Sequence, residues 1–531
     1  MKKLVSMLMA LVVLLGLFTG CNGGQSTLEE FKNRPNKVIV TYFNSGYGLT
    51  WLEEVAREYM TNYDTETYID LKPTVMATGE RDKILSGTST HDIYMLETHM
   101  EGLEKYTIDL SHIYEQTALG EETLIKDKVD KNLYNIYLNR EGKSYMYPYV
   151  NHLGYGWAYN KTLLDSSFPA GYVLPRTTDE FFEMGDSLKA QDKYLYVTGY
   201  ADNNDYLAYG RHIWYAQLLG YEGYVNYQNG KYYDSTTNSY VFDETAPTVI
   251  AKYEQEHKDY YDLCKRIGLK ENGYAHVDSD SMEFMDANAV MAGFPFGENE
   301  NRAAFLYSGQ WLENEIAWLL ADKESMNDKQ EIRCMKMPVA SAIIKKTPSI
   351  ADDDELRAVI DYVDGVTDTK PDATNEDIER IAEARKFIGA VVTGTCVIPK
   401  VAKNIEGAEK FLRFLASDKA QLIAQQNIDG LPLLPYGKTA TEEELGFSRT
   451  QYIKDVMDRA DGCILIPTTA MGDFSKYTDF GATYNAKTQK ELFNLSGKTA
   501  DTADKHFSKM LTAYTNAWGR LVEQYKLAIG E

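Results

Sequence analysis

Cysteine is scarce: five among 531 residues, at positions 21, 264, 334, 396 and 463, with no Cys-x-x-Cys pair. A disulfide framework or a cysteine-ligated zinc site is therefore not expected, and Cys264, Cys334, Cys396 and Cys463 read as buried free thiols. Positive charge is short as well, 55 Lys and Arg against 79 Asp and Glu, for a formal net charge of −24. A body this acidic repels phosphate backbones and anionic headgroups, which excludes nucleic acid and a bare lipid surface as natural partners. After the first twenty residues no long apolar run occurs, so no later segment reads as membrane-spanning. Internal repeats and low-complexity linkers are absent. So are the familiar catalytic signatures: there is no Gly-x-Ser-x-Gly turn and no His-Glu-x-x-His pair. Ser496-Gly-Lys-Thr499 matches the end of a P-loop, but Leu492 stands where its first glycine is required. Asp361-Tyr-Val-Asp-Gly365 misses the EF-hand spacing and reads as a solvated acidic face. Glu313 and Glu315, two apart on a helix, do not face each other as a glycosidase pair must. No catalytic residue, metal ligand or cofactor is expected.

What is present begins at the N-terminus. Met1-Lys-Lys3 precedes an uncharged stretch whose apolar core, Leu4 to Phe18, is shorter than the roughly 20 residues of a membrane-spanning helix. Leu17-Phe18-Thr19-Gly20-Cys21 resembles the lipobox of bacterial lipoproteins, with Phe18 where leucine is preferred. The alternative is a plain cleaved signal peptide with an incidental cysteine. Either way the protein is exported. The lipobox resemblance implies residues 1–20 as signal peptide, a lipidated Cys21 (palmitate among its acyl groups) at the extracytoplasmic face of the cell membrane, and a polar tether to residue 36. About 500 residues remain, enough for two or more domains. Tyrosine is overused, at 40 residues, and its flat face with a hydroxyl suits surfaces that bind sugars, polyamines or proteins.

Hydrophobic periodicity places strands at Lys37–Phe43, Tyr68–Pro73 and Asp92–Leu96, alternating with helices at Leu49–Asn62 and Arg81–Ser86. That alternation predicts a parallel sheet with α/β layering, in which ligands bind beyond the carboxyl ends of strands. Those ends are Asn44 to Tyr47 and Glu97 to His99. Downstream, Thr177 with Glu180 predicts a capping box. Helices follow at 206–219, with Trp214, and at 249–267, and a strand–Gly–helix unit follows at 302–315. The acidic stretch 349–383 holds two helices, and a long amphipathic helix begins near Thr502 with Phe507, Leu511, Tyr514, Trp518, Leu521 and Tyr525 as its apolar stripe.

Between residues 142 and 160 the aromatics alternate. Tyr145, Tyr147 and Tyr149 recur at every second residue, and so do Tyr155, Trp157 and Tyr159, so each set lies on one face of a strand. Pro148, Gly154 and Gly156 between them suit a bend or a close approach. Taken alone, the stretch is either sandwich core or a crossing between two lobes.

An ordered set of pieces favours the crossing. It comprises Asn44-Ser-Gly after the first strand, Asp92-Ile-Tyr-Met, Tyr147-Pro148 with Tyr159-Asn160-Lys-Thr-Leu, Pro175 with Thr177-Thr-Asp-Glu-Phe, and Arg302-Ala-Ala-Phe. Gly309-Gln-Trp311-Leu-Glu-Asn-Glu, Met337-Pro338, Ile398-Pro-Lys, Ala408 to Ser417 and Gly430-Leu-Pro432 follow. Over roughly residues 37 to 435 this resembles the family 1 extracellular solute-binding proteins of ABC importers, in particular carbohydrate-binding lipoproteins of Gram-positive bacteria. The resemblance implies a two-lobed α/β, periplasmic-binding-protein-like fold (type II), with hinge crossings and the ligand cleft between the lobes. On that pattern residues 37–147 and 339–435, with the acidic insertion 349–383, form lobe one. Residues 148–338 and a helical part 436–531 form lobe two.

The implied function is capture of a mono- or oligosaccharide and its delivery to ABC permease transmembrane subunits by a monomer that is not an enzyme. Sugars need aromatic planes for their C–H faces and polar groups for their hydroxyl rim. Trp311 matches the family's Gly-x-Trp aromatic that stacks on sugar. Asn44, Tyr47 and Glu97 follow strands of lobe one, while Asn151, His152 and Tyr155 lie at the crossing. Trp51 points out of its helix stripe toward the rim, and Trp214 is either ligand wall or core. Alternatives stay open: a polyamine in the same fold, an exported glycoside-active enzyme, or a surface lipoprotein holding polysaccharide without a transporter.

Overall fold

A computed structural model describes residues 28–44, 46–97, 102–129, 134, 137, 138, 142–151, 153–201, 206–390, 394–467, 472–484 and 488–531. The expected signal peptide, Cys21, residues 22–27 of the tether, His99 and His152 lie outside the described residues. No described helix is long and apolar enough to cross a membrane. The strands are β1 (Asn36–Phe43), β2 (Thr67–Thr74), β3 (Ile93–Leu96), β4 (Tyr147–Pro148), β5 (Gly156–Asn160), β6 (Tyr194–Val197) and β7 (Lys231–Asp234). They continue with β8 (Ser239–Phe242), β9 (Ala303–Ser308), β10 (Ile332–Met335), β11 (Phe387–Ala390), β12 (Thr395–Val397) and β13 (Ile464–Pro467).

The chain divides into two compact units, Met1–His152 with Thr393–Ile453, and Leu153–Val392 with Lys454–Glu531. These boundaries differ from the expected ones. The first change of unit comes after residue 152 rather than 147, the last segment starts at 454 rather than 436, and 339–392 belongs to the second unit. Burial explains the last difference. Helices Asp353–Val363 and Asn375–Arg385 place Leu356, Val359, Ile360, Ile378 and Ile381 in the same core as Trp214. Nor is Asp361–Gly365 a solvated face: Asp361 pairs with Arg176, and Asp364 with Lys336 at 2.8 Å and Arg385 at 2.9 Å.

In the first unit the sheet order is β2-β1-β3-β12-β4. β1 runs parallel to β2 and β3, and β12 is antiparallel to β3 and β4. β1 is central and buries Val38, Val40, Thr41 and Tyr42, the near-continuous burial expected of a strand covered on both faces. Thr395 pairs with both Leu96 and Pro148, so one end of this sheet gathers the carboxyl ends of β1, β3 and β4.

The second unit's sheet has the order β10-β5-β9-β6, with β5 antiparallel to both neighbours and β6 parallel to β9. Gly156 pairs with Ser308 and Trp157 with Met335, so the start of β5 meets the carboxyl ends of β9 and β10. Trp157 is fully buried and meets Phe181, Tyr196, Phe305 and Tyr307 at ring-centroid distances of 4.9 to 6.3 Å. The β7–β8 hairpin and the β11–β13 pair add two short sheets. The helix expected over 249–267 breaks at Tyr253 into Thr248–Lys252 and Glu254–Gly268. Thr177 caps its helix by accepting the Glu180 N–H, but the Glu180 carboxylate takes the N–H of Arg176, so the capping box is half made. Cys264, Cys334, Cys396 and Cys463 are free thiols, the first three buried.

Two buried histidines tie the C-terminal helix Ala503–Ile529 into this unit. His257 stacks on Tyr215 at 4.9 Å and bonds its hydroxyl at 3.0 Å, while His506 stacks on Tyr261 at 3.8 Å. Burial pulls their pKa values down to about 3 and about 4. In the unfolded chain such rings protonate near pH 6.5. The stability gained by keeping them neutral is thus full above about pH 6.5 and is lost as pH falls from there toward about 4 for His506 and about 3 for His257. Urea midpoints should decline across that window, and the double variant His257→Phe, His506→Phe should flatten the decline. An unchanged slope in the double variant would assign it to other groups.

Candidate functional site

In the second unit β9 runs into Gly309-Gln310-Trp311 and the helix Leu312–Ser325, which places Trp311 at the carboxyl end of the sheet. The half-buried Trp311 ring stands edge-on to Tyr155 at 5.2 Å and 89°, and lies 6.0 Å from Tyr206. Tyr155 in turn stacks parallel to Tyr307 at 6.2 Å and 6°, and Tyr206 meets Phe284 at 4.7 Å. Five aromatic rings therefore form one mostly edge-to-face cluster at the end of the β5–β9 pair, with Trp311 and Tyr206 its partly exposed members.

The chain leading to Tyr155 is fixed from three sides. The Leu153 N–H donates to Gln310 Oε1 at 2.7 Å, and the Tyr155 N–H donates to Gly389 O at 2.8 Å. Arg459, buried, donates to Leu153 O at 3.1 Å and Gly154 O at 2.8 Å, and lies 2.8 Å from Cys334 Sγ. Burial pushes the Cys334 thiol up, against the opposing pull of Arg459. Gly154 has φ +76°, and a Cβ there would overlap Ile388 at 1.7 Å, so only glycine fits this close approach. Trp311 is packed in its turn: a Cβ on Gly309 would lie 2.3 Å from two carbons of its ring. The indole is folded back over that glycine.

At the end of the first unit's sheet stand Asn44, Glu97 and Asn151, beyond β1, β3 and β4. The Asn44 N–H donates to Thr74 O at 2.9 Å, and its Oδ1 is buried with no hydrogen-bond partner among the described residues. Tyr47 is buried. Glu97 is half-buried, and its charge adds to burial in pushing the Tyr42 and Tyr149 phenols up. The Tyr149 N–H bonds Gly394 O at 2.9 Å and the Asn151 N–H bonds Leu433 O, which seats the end of this stretch on the sheet.

Two expected site residues are interior instead. Trp51 is fully buried: it shares the inward arc of helix Thr50–Glu58 with Leu52, Val55 and Ala56, and its Nε1 donates to Tyr42 Oη at 3.1 Å. The short helix is covered over a wider arc than its apolar stripe indicated, and the indole N–H finds a partner inside. Trp214 is likewise fully buried in the second unit's core, with Nε1 on Pro338 O at 3.2 Å. His152 lies outside the described residues. Sequence reasoning missed Tyr206, Tyr307, Gln310 and Arg459. Tyr307 carried a signal, alternating with Phe305 two residues before Gly309. Arg459 carried none, because its acceptors are backbone carbonyls some 300 positions away.

A family model described as bacterial extracellular solute-binding protein matches residues 44–330, over half of the chain. The fold is similar to that of the GacH receptor of Streptomyces glaucescens GLA.O, solved unliganded and with acarbose, at 12% identity and a TM-score of 0.54 over 92% of this chain and 99% of that one. It is similar to a chitin oligosaccharide binding protein at 14% identity and a TM-score of 0.53, over 91% and 98% of the two chains. A third similar structure is the ABC substrate-binding protein Lmo0181 from Listeria monocytogenes with cycloalternan, at 14% identity and a TM-score of 0.51 over 93% and 99%. No curated protein matches the chain in sequence.

The Gly309 packing is open to a direct check. Gly309→Ala should drive the indole off its seat and change the near-UV circular dichroism of the Tyr155–Trp311 contact, at a cost of about 1–3 kcal/mol in stability. An unchanged near-UV spectrum would mean the ring does not lie over residue 309.

Proposed function

Because the chain belongs to the bacterial extracellular solute-binding protein family, we propose that it captures a carbohydrate, a mono- or oligosaccharide, and delivers it to the permease subunits of an ABC importer. The observation that carries this reading is the aromatic cluster of Trp311, Tyr155 and Tyr206 at the carboxyl end of the second unit's sheet. A sugar's C–H face is apolar and flat, and aromatic planes are its natural complement. In the first unit taken by itself, Asn44, Tyr47, Glu97 and Asn151 are candidates for hydroxyl contacts, since an unmet buried hydroxyl costs about 1–3 kcal/mol. Acarbose, chitin oligosaccharide and cycloalternan, named for the three similar structures, support the choice of carbohydrate.

Around that core we place a protein exported by residues 1–20, anchored through lipid on Cys21 at the outer face of the cell membrane, and acting as a monomer without catalysis. The lipobox-like Leu17 to Cys21 supports the anchor. Mass spectrometry of the mature N-terminus should find an acylated Cys21, and an unmodified terminus would remove the anchor from the proposal.

Calorimetric titration with mono- and oligosaccharides, and with spermidine as the cationic competitor, tests the ligand class. A sugar should bind, and Trp311→Ala should weaken it at least about tenfold with the fold intact, as expected when a stacking plane is lost. Binding of spermidine alone, or an unchanged sugar affinity in Trp311→Ala, would overturn the assignment.

A further inference from the structure

The helix Leu312–Ser325 buries Leu312, Ile316, Leu319 and Lys323 against the second unit. Its exposed positions are Asn314, Ala317, Ala321, Asp322, Glu324, Ser325 and Trp318. All but one are small or polar. Trp318 is the exception, an indole left 54% exposed to solvent. A single exposed apolar side chain is ordinary on a protein surface, so the weight lies on its position.

Trp318 comes seven residues after Trp311, the N-cap of the helix, which at 3.6 residues per turn brings the two backbone positions within about 20° of each other around the helix axis. Their separation along the axis is about 10 Å at 1.5 Å per residue, longer than one pyranose ring. Glu315 lies between them, four residues after the first and three before the second, and Asp322 continues the same flank one turn beyond Trp318. The stripe Trp311–Glu315–Trp318–Asp322 therefore starts at the aromatic cluster and runs along one flank of the helix. Trp318 and Asp322 are its exposed members, an apolar plane and a carboxylate acceptor, which suit a sugar ring and its hydroxyls.

We propose that Trp318 is an outer stacking subsite for a glycan that extends past the ring held at Trp311, so that the ligand class is an oligosaccharide long enough to reach it rather than a mono- or disaccharide. This rests on the carbohydrate reading and deepens it. A rigid indole loses little conformational freedom on stacking, so an exposed tryptophan already in register gains affinity without reorganising the fold.

The test is a length series: malto-, cello-, xylo- and chito-oligosaccharides from disaccharide to heptasaccharide, titrated against native protein, Trp318→Ala and Trp311→Ala. For the series that binds, affinity should keep rising beyond the trisaccharide. Trp318→Ala should remove that rise, weakening the longer members by roughly three- to tenfold and leaving the disaccharide unchanged. Because the indole is exposed, its thermal midpoint should match the native one, and Trp318→Phe should restore part of the rise. If Trp318→Ala equals native protein at every length, or native affinity is already constant from the disaccharide upward, the outer subsite is overturned while the carbohydrate reading stands. If no series binds the native protein, both fall.

Discussion

The antiparallel pairing of β5 with β9 is the contact on which the candidate site depends. It joins residues 156–159 to 305–308, about 150 positions apart in the chain. Without it, Tyr155 has no reason to lie near Tyr307 or Trp311. With it, the strand ends set the rings at fixed separations, because register in a sheet is fixed by alternation: a one-residue slip would turn Trp157 and Tyr307 out of the core. The pairing is secured beyond its own ladder. Gln310 and Arg459 take the groups at Leu153 and Gly154, and the Gly389 carbonyl takes the Tyr155 N–H. The cluster is thus held in place before any ligand arrives, which lowers the ordering cost that binding would otherwise carry.

Arg459 shows how a charge can serve a backbone position. Its partners include two carbonyls and a thiol, all neutral acceptors, in a buried setting. Burying a guanidinium among neutral groups is costly unless each hydrogen bond is well made. Gly156 makes room for it, since a Cβ there would come within 1.8 Å of Nη1. Gly154 and Gly156 are therefore matched to specific neighbours, Ile388 and Arg459, and not to flexibility.

Much of the first unit was legible from the sequence because its periodicities are local. The strand expected at 37–43 is β1 at 36–43, and the third is β3 within one residue. The strand–glycine–helix unit around Trp311 was legible too, and the resemblance to the family's Gly-x-Trp singled out the residue. What escaped reading was set by distant partners. Trp51 looked like a rim residue because its helix stripe was judged alone, and only Tyr42, on a neighbouring strand, takes its N–H inward. The acidic stretch 349–383 was expected with the first lobe on the family pattern, whereas it falls in the second compact unit. Its inward residues, Leu356, Val359, Ile360, Ile378 and Ile381, decide where it packs. The short strands β7, β8, β11 and β13, four residues each, carry too little periodicity to register.

The net charge of −24 does not by itself choose between a sugar and a polyamine. Overall charge acts through a field that physiological salt screens within about 8 Å. Selectivity must therefore come from groups that touch the ligand. A polyamine needs carboxylates spaced along an aromatic channel so that each ammonium is paired when it leaves water. The cluster around Trp311 is built from Tyr155, Tyr206, Tyr307 and Phe284, and the contacts that fix it are amides, carbonyls and a guanidinium. Arg459 places positive charge beside Gly154, one residue from Tyr155, where an ammonium would be repelled. Of the carboxylates on that flank, Asp322 is exposed and Glu315 is half-buried, and either would accept from an ammonium as from a hydroxyl. Flat apolar surface with acceptors at its border is the complement of a sugar chain.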